Sequence, residues 1–71
     1  MFSRLIADDP TRKNVYVEIY YNDSMLAEVI HENKQNEIII YGPPKESWDA
    51  IPLTDFIEVL NQANEDMSFQ D

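Results

Sequence analysis

The 71 residues contain no cysteine, one glycine, one histidine and only five lysines and arginines. Each shortage removes a class of chemistry. Without Cys, neither a disulfide framework nor a thiolate zinc site is available, which fits a reducing compartment. The single glycine, Gly42, cannot build a phosphate-cradling loop or the G-x-S-x-G nucleophile turn. His31 has no second histidine at H-x-x-x-H or H-x-H spacing, so it reads as a strand-end residue at the core margin rather than a base or metal ligand. Asp8 and Asp9 do not match the D-x-[DN]-x-[DN]-G calcium loop and read as a turn with Pro10. The sequence therefore predicts no catalytic residue, no cofactor and no metal site, and an enzyme is not expected.

Basic charge is equally scarce. Fourteen Asp and Glu against five Lys and Arg give a net charge of −9, which opposes direct binding to nucleic acid or to anionic membrane by repulsion. The imbalance is concentrated: residues 46–71 hold seven acids and no base. No stretch approaches the roughly 20 apolar residues that span a bilayer. The opening MFSRLIADDP lacks the apolar region and cleavage site of a secretory signal, so a cytoplasmic location is expected.

What the chain does have is β-branched and aromatic residues at period two. VYVEIYY, SMLAEVIHE and EIIIYG, separated by NDS and NKQN, read as a three-stranded antiparallel meander over 15–42. Alternation gives each strand two faces. A three-residue loop at Asn22, Asp23 and Ser24 sets Val17 opposite Val29 and Tyr21 opposite Met25, so the purely apolar sets coincide. A two-residue Asn-Asp turn would instead mix Glu28 into that set, at several kcal/mol for an unpaired buried carboxylate. The next loop places Ile39 opposite Ile30 and Ile40 opposite Val29. The predicted core face is Val15, Val17, Ile19, Tyr21, Met25, Ala27, Val29, Ile38 and Ile40. The other face interleaves Tyr16, Tyr20, Leu26, Ile30, Ile39 and Tyr41 with Glu18, Glu28, Glu32 and Glu37, which is too apolar for a simply wetted surface.

Around this centre, 1–14 reads as an arm that can add a fourth, edge strand, followed by a turn. The only glycine, Gly42, is expected to hold a conformation other residues resist. The segment 43–53 is a Pro-rich loop carrying Trp48, and Ile51-Pro52-Leu53 can pair briefly with a sheet edge. Phe56, Leu60, Ala63 and Met67 recur at helical spacing, predicting a helix over 54–66 with Thr54 as N-cap and a tail at 67–71. Glu65 and Asp66 oppose the dipole at its end. The fold class is therefore α+β, with one C-terminal helix packed on one face of the sheet, in a single domain.

Eight residues are the candidate partner contacts. Tyr16, Tyr20, Tyr41 and Trp48 are the aromatic anchors, and Glu18, Glu28, Asp55 and Glu58 supply charge. Glu18 lies across from Glu28, and like charges so placed either splay into water or form a socket for a partner's Arg or Lys. Trp48 either projects as an anchor or folds back over the sheet or helix end. As an imitation of DNA the helix is too sparse: Asp55 to Glu58 spans about 4.5 Å of helix axis, against one charge per about 1.7 Å in a duplex. The expected function is a small acidic protein-binding module, comparable in size and charge to inhibitors and immunity proteins that engage basic surfaces of nucleases or nucleic-acid-binding complexes. The alternative is a structural homodimer joined through the non-helix face of the sheet.

Overall fold

Period-two alternation carries through to the structure. The computed structural model describes residues 1–43 and 46–68, with strands β1 (Phe2–Ala7), β2 (Tyr16–Tyr21), β3 (Ser24–Glu32) and β4 (Gln35–Ile40) followed by helix α1 (Leu53–Asp66). The strands form one antiparallel sheet in the order β1-β2-β3-β4. The N-terminal arm is thus a full edge strand, pairing Phe2 with Tyr21 through to Ala7 with Tyr16. No helix among the described residues is long and apolar enough to cross a membrane.

The first hairpin combines both registers that the sequence allows. Asn22 and Asp23 sit at φ 48° and 69°, the left-handed pair that a two-residue hairpin turn requires and that Asn and Asp tolerate. Tyr21 therefore faces Ser24 and Tyr20 faces Met25, but beyond a bulge Ile19 faces Ala27, Glu18 faces Glu28 and Val17 faces Val29. One extra residue in β3 restores the apolar match that the tight turn would have spoiled. The bulge also exchanges two expected positions. Leu26 is buried in the core, whereas Met25, expected there, pairs with Tyr20 instead.

At the second hairpin Asn33 and Lys34 take the left-handed turn, at φ 54° and 65°. Ile39 consequently faces Glu28, and Ile38 faces Val29. This is a two-residue slip from the expected pairing, and an even slip leaves every side chain on its predicted face.

Val17, Ile19, Leu26, Ala27 and Val29 of the sheet meet Val59, Ala63 and Met67 to form the core. Phe2 extends it, with its ring 4.8 Å from Tyr21 and 5.7 Å from Phe56. The helix starts differently from expectation. Pro52 is the N-cap, no side chain caps the first turn, and Ile51 and Pro52 join no strand. Thr54 lies inside the first turn, two residues past the cap position.

The helix C-terminus holds despite its acids. Asp66 accepts from Arg4 Nε at 2.6 Å, and Gln62 accepts from Arg4 Nη1 at 3.0 Å. Met67 follows fully buried, and Ser68 closes the end on the Glu65 carbonyl. Of the expected tail, 69–71 lies outside the described residues, as do Pro44 and Lys45 of the expected loop. Gly42 has no positive φ, and a Cβ there would meet nothing within 4 Å, so it is not the constrained position expected.

The helix rests chiefly on β1 and β2. The helix-side face of β4 is left open as a result, with Ile38 and Ile40 exposed.

Candidate protein-interaction surface

On the face away from the helix, the segment between β1 and β2 folds back over the sheet. Asp9 organises it: its Oδ1 accepts from the Thr11 N–H at 2.9 Å and the Thr11 hydroxyl at 2.8 Å, and its carbonyl accepts from the Arg12 N–H at 2.8 Å. The backbone N–H of Thr11, then its hydroxyl, hold the Asp9 carboxyl below its ordinary range. This turn aims Arg12 across the strands. The guanidinium lies 3.9 Å from the Tyr16 ring centroid and donates to Glu28 at 2.8 and 3.4 Å. Cation–π attraction and a forked ion pair therefore act on one side chain.

The two opposed carboxylates are both satisfied within the chain. Glu28 is 4% exposed and pairs with Arg12, while Glu18 accepts from the Tyr20 hydroxyl at 3.1 Å. The hydrogen bond to Glu18 raises the Tyr20 hydroxyl above its ordinary value, with partial burial adding to it. Burial first, and the Glu28 carboxylate second, raise Tyr41 in the same direction. Tyr16, Glu18, Tyr20, Glu28 and Tyr41 thus form one aromatic and acidic cluster on this face, bordered by a cleft of about 360 Å³ between Thr11–Val15 and Ile30, His31 and Ile39.

The other three predicted contacts lie elsewhere. Trp48 folds back: its Nε1 donates to the Tyr41 carbonyl at 3.2 Å, and the half-buried indole packs against the core. Asp55 and Glu58 are exposed on α1, so the sheet separates them from the tyrosine cluster. His31 belongs to a polar chain at the second hairpin. Its Nδ1 lies 2.8 Å from Asn36 Oδ1, and Asn36 Nδ2 donates to Asn64 Oδ1 at 2.7 Å, fastening the second hairpin to the helix. Among the described residues no group of three or more His, Cys, Asp and Glu is placed to hold a metal ion.

No protein-family model, curated protein or solved structure matches this chain. Any role must therefore be argued from its own geometry.

Arg12 is the residue that sequence reasoning passed over, as a mere lead into the first strand. Two signals could have found it. Asp9-Pro10-Thr11 is a turn that reverses the chain, and a sheet face with four glutamates needs a cation from a chain that has five.

Proposed function

We propose that this chain is a small, non-enzymatic, acidic protein-binding module of the inhibitor or immunity type, which engages a basic surface of a nuclease or nucleic-acid-binding complex. The observation that carries the reading is the internal use of both arginines, Arg4 on Asp66 and Arg12 on Glu28. With those cations engaged, the remaining surface presents Asp55, Glu58 and the other exposed acids of a chain with net charge −9. A field of one sign steers an oppositely charged partner and raises its association rate.

Within that reading the predicted contacts divide by role. Asp55 and Glu58 act at long range, from the helix. Glu18, Tyr20 and Tyr41, each half-buried, act at short range, on the face away from the helix. Glu28 and Tyr16 serve indirectly by holding Arg12, and Trp48 by fastening the end of β4. Capture from lysate of the source cells at low salt tests the proposal. A retained protein with a basic surface, released as salt rises, supports it. Retention of nothing above background, or of a protein insensitive to salt, contradicts it.

A further inference from the structure

β4 is an outer strand, and among the described residues no strand pairs with its free edge. Native edges are normally blunted by lysine, proline, a bulge or short length. This one carries Ile38, Ile39 and Ile40, which are 42, 40 and 64% exposed. The Tyr41 N–H donates inward to the Leu26 carbonyl at 2.9 Å. Ladder bonds alternate, so the N–H and C=O groups of Ile38 and Ile40 point outward from the sheet. On the helix side, Leu60 lies beside this strand, and Leu53 and Ile57, on the same helix face as Leu60 by their spacing, are 70% and 49% exposed. A groove of about 200 Å³ separates Leu60 and Asn64 from Val29 and Ile38.

We propose that this edge joins two copies of the chain, β4 pairing antiparallel with β4 of the second copy about a twofold axis through Ile39. The sheets become continuous and both helices lie on one side. The proposal goes beyond the reading above and does not depend on it.

The register follows from the side chains. A twofold axis normal to the sheet keeps like faces together only if it passes through a residue, because side chains alternate. Centred on Glu37, the pairing sets two carboxylates opposite each other, which is destabilising. Centred on Ile38, it sets Glu37 against the partner's Ile39 and Asn36 against the partner's Ile40. Centred on Ile39, it sets Ile38 against the partner's Ile40, Ile39 against its copy, and Glu37 against the partner's Tyr41. Only this last register matches every isoleucine with an isoleucine. It also extends the apolar strips beside both helices, which a domain with so few fully buried side chains gains most from covering. The 8–14 segment lies across the non-helix face, which favours the edge over that face for self-association.

Each copy carries −9, so salt screens the repulsion between copies and strengthens the dimer, the reverse of its effect on a basic partner. Sedimentation velocity of the full chain, from micromolar to millimolar at low and high salt, is expected to show a monomer–dimer equilibrium that shifts toward dimer as salt rises. Ile40→Lys is expected to abolish the dimer boundary while leaving the circular dichroism and melting of the monomer intact. Ile39→Cys, in a chain without other cysteines, is expected to form an inter-chain disulfide under mild oxidation. Opposed residues of a non-hydrogen-bonded pair have Cα atoms about 4.5 Å apart, within disulfide reach. Glu37→Cys is expected to stay reduced under the same conditions. A monomer at every concentration and salt, including one that captures only a foreign strand, overturns the proposal. So does a dimer that survives Ile40→Lys, or one in which Glu37→Cys cross-links in preference to Ile39→Cys.

Discussion

Glu28 is 4% exposed and faces a second carboxylate across the strand pair. That is tolerable only because Arg12 reaches over Tyr16 to meet it. Arg12→Ala strands a buried anion, and such an anion costs more than the pair it came from contributed. Thermal melting should therefore drop in Arg12→Ala and recover in part when Glu28→Gln is added, because the neutral amide removes the charge left unpaired. Equal melting of the single and double variants would refute the pairing. Tyr20 and Tyr41 supply a pH signature. Their folded-state values are raised above the ordinary 10.0, so the stability they contribute is fully present below pH 10.0 and is lost as pH rises through the raised values. Tyrosinate absorbance titration should show late-ionising components, one removed by Tyr20→Phe and one by Tyr41→Phe.

At the scale of elements, the hairpins and the helix start give two sharp tests. Lys34 occupies a left-handed turn position, φ 65°, where glycine costs least and Asn-Gly is the preferred pair. Lys34→Gly should raise stability by about 1 kcal/mol, or several degrees in melting temperature for a domain of this size. Thr54 makes no capping hydrogen bond, so Thr54→Ala should fall within about 0.5 kcal/mol of the parent rather than lose the roughly 1 kcal/mol typical of a cap. The faces of the strands were legible because period two survives any even slip, as at Ile38 and Ile40. The turn lengths were not, because Asn22-Asp23 and Asn33-Lys34 lack the glycine that usually marks such turns. The bulge at Leu26 was hidden as well, since it follows from reconciling a tight turn with a buried face. The tyrosine and glutamate cluster was visible from alternation alone. Its cation was not, since Arg12 and Glu28 meet only through the path of an irregular segment.

At the scale of the molecule, a small core and a predominantly acidic surface pull in different directions. The helix rests chiefly on β1 and β2, so the β4 side is left greasy, and on the proposed reading the net charge steers what approaches. Both arginines are exposed but engaged in ion pairs within the chain, with Asp66 and Glu28, and on the proposed reading the acids left over face a cationic macromolecule. The most direct test is the association rate of a captured basic partner with the parent chain and with Asp55→Lys/Glu58→Lys, measured at low and high salt. The account predicts fast association at low salt that slows as salt rises, and a charge-reversed variant that is slower at low salt and converges with the parent at high salt. Rates that ignore salt, or a variant that matches the parent throughout, would contradict it.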